Sequence, residues 1–146
     1  MDEKSKTQLG KTLGTVVGIA LGLMAGIWLV PSFLTPAAPS VQQMLNEVSA
    51  ELNAKVPLQI DAMTRLVAVE AEAPQTLHYR YEVAVDCDSL DTGTFRDLLF
   101  EQVRQNVRSS AEMKPLKTRR VVFHYHYIDR NGRQITDFDL TPSDYE

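Results

Sequence analysis

The sequence predicts an α+β protein: an N-terminal transmembrane helix followed by a small αββαββ domain with an antiparallel sheet. Three observations predict it. A charge-free stretch runs from Thr12 to Asn46 with an apolar core over Leu13–Leu34. Beyond it, helix-period and strand-period patterns follow in the order α-β-β-α-β-β. An Asn131-Gly132 pair then sits between the last two strand-like runs, where a tight hairpin turn needs residues tolerant of positive φ.

The apolar segment comes first. At 1.5 Å per residue, about 20 residues cross a hydrocarbon core of ~30 Å. Trp28 falls near the distal end, where an indole suits the headgroup region. Lys4, Lys6 and Lys11 precede the span, and no basic residue follows until Lys55. The positive-inside rule then puts residues 1–11 in the cytoplasm, the helix over 12–34 in the inner membrane, and the rest outside the cytoplasm. A cleaved signal peptide is the competing reading. Its apolar core would be shorter than this one, and Pro36 and Pro39 suit cleavage poorly. Both readings export the domain.

Gly10, Gly14, Gly18, Gly22 and Gly26 recur every four residues, in a chain with only seven glycines. Positions i and i+4 share one helix face, and a face without Cβ atoms lets a second backbone approach closely in lipid. The expected partners are therefore the membrane, crossed once, and either a second copy or a partner's transmembrane helix. Glycine is also common in membrane helices generally, which is the plainer account.

Residues 35–39 (TPAAP) read as a stiff linker, and 40–146 as the exported domain. Ser40 and Gln43 have capping-box spacing, and Val41, Met44, Leu45, Val48 and Leu52 form an apolar stripe that ends before Pro57. Two strands are expected at Thr64–Glu72 and Thr76–Val85, separated by Ala73-Pro74-Gln75. In the second, Leu77, Tyr79, Tyr81, Val83 and Val85 face one way and His78, Arg80 and Glu82 the other. After a polar turn over Asp86–Gly93, Thr94 with Asp97 is expected to cap a helix buried through Phe95, Leu98, Leu99, Val103 and Val107. A loop around Lys114-Pro115 leads to strands at Arg119–Asp129 and Gln134–Leu140. Tyr79/Tyr81 and Tyr125/Tyr127 are expected to pack beneath the helices, with their hydroxyls reaching the sheet margins.

Composition narrows the function. From Ser40 onward, 12 Lys/Arg stand against 17 Asp/Glu, a net charge of −5. An acidic domain is a poor match for the phosphate backbone, so no nucleic-acid partner is expected. The single cysteine, Cys87, allows no internal disulfide and no cysteine-rich zinc site. Asp86 and Asp88 beside it discourage a thiolate nucleophile, and no histidine is close in sequence. Asp86, Asp88 and Asp91 suggest calcium only loosely, since the EF-hand pattern is missing; a solvated turn is the simpler reading. No catalytic residue and no cofactor are expected.

One alternative involves metal. His124 and His126 project from the same face of their strand, and His78 lies on the polar face of another. Two strand-borne imidazoles with a third can hold zinc, which would make the chain a metal-binding protein or a metal-dependent enzyme. Alternation of two polar residues on a half-solvated strand gives the same spacing.

The run Leu52-Asn53, Val56-Pro57, Ile60-Asp61 and Thr64-Arg65-Leu66, followed by Leu77-x-Tyr79-x-Tyr81-x-Val83, resembles a group of small bacterial envelope proteins. So does Tyr125-x-Tyr127-x-Asp129-x-x-Gly132 with Ile135. That group has an αββαββ fold and includes α/β-type pilotins of type II secretion. The similarity spans about Val41 to Leu140. It implies a periplasmic binding module and does not support a role in escorting a secretin. Pilotins of that kind are lipoproteins, whereas here no cysteine follows the apolar segment. They also look disulfide-bonded through a cysteine after the second helix and one near the C-terminus, and this chain has neither.

Overall fold

The computed structural model describes residues 38–146, and the expected transmembrane helix with its glycine stripe lies outside them. Among the described residues no helix is long and apolar enough to cross a membrane. The elements are α1 (Val41–Asn53), β1 (Leu58–Gln59), β2 (Thr64–Glu72), β3 (Thr76–Val83), α2 (Thr92–Ser109), α3 (Lys114–Thr118), β4 (Val122–Ile128), β5 (Gln134–Leu140) and α4 (Pro142–Tyr145).

Helix α1 begins as its sequence dictates. Ser40 Oγ accepts from the Gln43 backbone N–H at 3.1 Å, and Gln43 Oε1 accepts from the Ser40 N–H at 2.9 Å. Both bonds satisfy amides that have no partner inside the helix. Met44, Leu45, Val48 and Leu52 are buried against the sheet. Helix α2 is capped three residues earlier than expected. Asp91 Oδ1 accepts from the Thr94 N–H at 3.2 Å, and Thr94 Oγ1 donates to Asp91 Oδ2 at 2.9 Å. An ionised carboxylate accepts both bonds and complements the helix's positive end, which Thr94 cannot do. The buried stripe of α2 is Phe95, Leu99, Val103 and Val107. Leu98, expected in it, is 54% exposed, because a strict i+4 row turns position 98 toward solvent.

The five strands run in the order β1-β2-β3-β4-β5. Here the expectation of an antiparallel sheet is corrected. β3 pairs with β4 in parallel, Thr76 opposite Val122 through Glu82 opposite Ile128, while the other pairs are antiparallel. The two αββ halves meet edge to edge at the sheet centre. Residues 84–121, which hold α2 and α3, provide the long crossover that a parallel pair requires and a tight turn cannot supply.

Burial alternates along the central strands as the sequence pattern predicts. Leu77, Tyr79, Tyr81 and Val83 of β3, with Phe123, Tyr125 and Tyr127 of β4, are at most 3% exposed. Tyr79 stacks on Tyr125 at 5.3 Å between ring centroids, Tyr81 on Tyr127 at 5.2 Å, and Phe138 on Tyr125 at 5.5 Å. The tyrosines do pack in the core. The Tyr79 and Tyr125 hydroxyls, however, are buried without a hydrogen-bond partner among the described residues, rather than at the sheet margins. Strand length explains this: both residues sit mid-strand at the sheet centre, too far from its ends for a phenol to reach water.

Only two residues of β1 pair with β2, Leu58 with Leu66 and Gln59 with Arg65, so the rest of β2 has an outer edge. Side chains of α1 close it at Val69. The Val69 N–H donates to Asn53 Oδ1 at 2.9 Å, while Asn53 Nδ2 and Ser49 Oγ donate to the Val69 carbonyl at 2.6 and 2.9 Å. The Asn53 amide thus stands in for one residue of a missing strand.

Candidate functional site

Among the described residues no helix covers the second face of the sheet, and its composition follows from the alternation that builds the core. Each buried tyrosine on β3 or β4 is flanked by residues pointing outward. The registers then align those residues across strands. One row reads Glu70, His78, His124, Asp139. The next reads Ala68, Arg80, His126, Asp137. The imidazoles and Arg80 therefore occupy the two central strands, with carboxylates on both sides.

The parallel β3–β4 pairing brings the histidines together. The His78 and His124 rings lie 5.0 Å apart. His78 Nε2 donates to Glu72 Oε2 at 2.5 Å, and His124 Nδ1 donates to Asp139 Oδ1 at 2.6 Å. Ionised carboxylates only accept, so these bonds occupy His78 Nε2 and His124 Nδ1, and His124 Nε2 faces Asp137 Oδ2 at 3.9 Å. Burial lowers the His126 pKa, and Arg80 and His124 lower it further against the opposing pull of Asp137. The three histidines, with Ala68, Glu70, Tyr79 and Arg80, line a shallow groove of about 150 Å³.

Sequence reasoning gathered the three histidines onto polar faces, and the structure places them in one groove. It does not bring their nitrogens into one coordination sphere. Among the described residues, the group of three His, Cys, Asp or Glu ligand atoms lying within 4.8 Å of one another is Asp86, Cys87 and Asp88. That group already holds a cation. Arg133 Nη1 donates to Asp88 Oδ2 at 3.0 Å and Nη2 to Asp86 Oδ1 at 2.5 Å.

Arg133 and Asp129 form a clamp that the sequence reading missed. Asp129 is fully buried. Its Oδ1 accepts from the Asn131 and Arg133 backbone N–H groups at 2.8 and 2.9 Å; its Oδ2 accepts from Arg133 Nε at 3.1 Å and the Cys87 N–H at 3.3 Å. Burial raises the carboxyl's pKa, but the backbone N–H groups of Arg133, Cys87 and Asn131 outweigh it and hold the group well below the usual carboxylate range. The turn holds a 3₁₀ helix over Cys87–Ser89, and the Asp86 and Asp88 carboxylates stay exposed as expected while also binding the β4–β5 hairpin through Arg133. Burial pushes the Cys87 thiol up, Asp129 adds to this, and no histidine is hydrogen-bonded to it. The signal in the sequence was the pair Asp129 and Arg133 flanking Asn131-Gly132, where Gly132 takes φ 79°. An aspartate before such a turn folds back on its amides.

The architecture defines a class: an αββαββ domain whose halves join through a parallel central pair. It is shared with small bacterial envelope proteins. PA3611 of Pseudomonas aeruginosa, a protein assigned as secreted, superposes with a TM-score of 0.62 at 15% identity, over 73% of this chain and 93% of that one. The type II secretion pilotin AspS of Vibrio cholerae gives 0.56 at 10%, over 71% and 91%. The pilotin EpsS of Vibrio vulnificus gives 0.59 at 12%, over 73% and 92%. These likenesses establish the fold. By sequence, the chain belongs to the family described as a domain of unknown function (DUF8479), whose model matches residues 40–136. A comparison with curated proteins gives no match.

Proposed function

We propose that this chain is a noncatalytic envelope module anchored in the inner membrane. In this reading residues 1–11 are cytoplasmic, 12–34 span the bilayer, 35–39 are a linker, and the domain of 40–146 contacts a protein in the periplasm. The single observation that carries it is the fold, which the chain shares with two type II secretion pilotins and a protein assigned as secreted. One further feature supports it. The sheet face free of described helices offers charged and aromatic-backed groups in rows, which suits contact with protein. Within the span, Gly10, Gly14, Gly18, Gly22 and Gly26 would pack against another copy or a partner's helix.

The test is crosslinking in intact cells, comparing the tagged protein with a Gly18→Ile/Gly22→Ile variant. Crosslinked bands that vanish in the variant, with partners identified by mass spectrometry, support assembly through the helix. Bands unchanged by the variant assign the interaction to the domain. Absence of any crosslinked partner, together with a monomer in detergent, would sink the proposal.

A second reading keeps one favourable observation. Glu72 on His78 and Asp139 on His124 reproduce the carboxylate–imidazole pairs that orient metal-bound histidines. Zinc held by His78, His124 and His126 would need side-chain rotation to converge. Metal content of the purified protein, with melting measured before and after adding zinc, decides it: no bound metal and no shift end this reading.

A further inference from the structure

The acidic domain has one region of opposite sign, and it lies where the chain would leave the bilayer. Between residues 108 and 120 the sequence places Arg108, Lys114, Lys117, Arg119 and Arg120 against a single carboxylate, Glu112. The rest of the domain is correspondingly more acidic, so this segment is a local reversal and not an average property.

The fold brings this segment to the domain's entry point. Arg119 Nη1 donates to the Pro39 carbonyl at 2.7 Å, a contact between residues 80 apart in sequence. Lys117 Nζ donates to the Arg108 carbonyl at 2.9 Å, which ties the end of α2 to α3. Helix α1 starts at the same place as Pro39, and its first turn contains no acidic residue to offset the segment's cations. Arg120 adds a further observation. It sits at φ 56°, a left-handed conformation that costs an ordinary side chain roughly 1–2 kcal/mol and that glycine adopts freely. A cation occupies the position instead, and both it and Lys114 are exposed. Glu146 pairs with Arg120 on its other flank.

We infer that this basic face docks on the anionic phospholipid headgroups of the membrane in which residues 12–34 are proposed to lie. The inference rests on that anchor. Only residues 35–39 separate the end of the apolar run at Leu34 from Pro39, and five extended residues reach at most about 18 Å. Arg119, hydrogen-bonded to that endpoint, is therefore held within a couple of Debye lengths of the lipid phosphates, each Debye length being about 8 Å at physiological ionic strength. Clustered Lys and Arg beside a transmembrane helix are attracted to acidic lipid there.

The experiment uses the full chain in lipid nanodiscs, with Cys87→Ser and a donor dye on Ala111→Cys, an exposed position next to the basic segment. Energy transfer to a headgroup-labelled lipid is compared in phosphatidylcholine and in an equal mixture with phosphatidylglycerol. Transfer is expected to rise with the acidic lipid and to fall at high salt. Lys114→Gln/Arg120→Gln should remove most of the rise, the docking constant dropping about five-fold for each cation lost. Equal transfer in both lipids, or a rise that the double variant leaves intact, overturns the inference. Loss of a crosslink to an acidic protein in the same variant, without any lipid effect, reassigns the face to protein and also overturns it. Failure of the chain to stay with the disc after an alkaline wash removes the anchor, and the inference falls with it for that separate reason.

Discussion

Replacing Asn53 with alanine tests whether one amide seals the edge of β2. Asn53 exchanges two hydrogen bonds with Val69, at 2.6 and 2.9 Å, and Val69 is fully buried while this side chain covers it. Each lost bond contributes about 1 kcal/mol net, and a stranded buried N–H raises the cost toward 3 kcal/mol in total. Ser49 Oγ still satisfies the Val69 carbonyl, and alanine is the better helix former by about 0.7 kcal/mol at most. The expected net loss is about 2 kcal/mol. For a domain of this size that corresponds to a fall in Tm of roughly 10 °C. Urea denaturation followed by circular dichroism measures it, with an unchanged m-value required. Asn53→Asp is the sharper companion, since it keeps the acceptor but turns an oxygen toward the Val69 carbonyl. It should destabilise at least as much as alanine. A change below about 0.5 kcal/mol in both variants would refute the strand-substitute role of this side chain.

Three further outcomes are expected. The lowered His126 pKa means the unfolded chain takes up the proton first, so this contribution to stability is present above pH 6.5 and is lost as the pH falls below it; His126→Gln should flatten that part of a stability–pH profile. Tyr125→Phe removes a buried hydroxyl without a partner, and should leave denaturant stability unchanged or raise it by up to about 1 kcal/mol. On α2, Leu99→Ala should cost about 2–5 kcal/mol, whereas Leu98→Ala should stay within about 0.5 kcal/mol, despite being the same substitution one residue away.

Much of the fold was legible because its core is written in strict periods. The alternation through Leu77, Tyr79, Tyr81 and Val83 and through Phe123, Tyr125 and Tyr127 gave both faces of the central strands correctly. Ser40 and Gln43 gave the start of α1, and Asn131-Gly132 the last hairpin. Periodicity says nothing about which strand edges meet, so the parallel β3–β4 pair was missed, and with it the approach of His78 to His124. Leu98 misled because a run of two leucines fits either of two adjacent helix rows, and only packing chooses between them. The Asp91 cap lost to Thr94 because both residue types cap helices. The amide-binding roles of Asn53 and Asp129 differ in legibility: the turn beside Asp129 marked its role, whereas nothing in the helix pattern marked that of Asn53.

The parallel pairing at the sheet centre also sets an order of events for a chain that emerges N-terminus first. β2 and β3 form a local hairpin, yet a lone two-stranded hairpin is marginal in water. Its stabilising neighbour, β4, begins at Val122, and the hairpin that backs β4 closes only at Leu140. Until Leu140 appears, the apolar side of β3 has no finished core and its outer edge is unsatisfied. The domain therefore cannot mature piecemeal from its first half. Folding should wait until β5 has emerged, with the nascent first half dependent on whatever shields it in the interval.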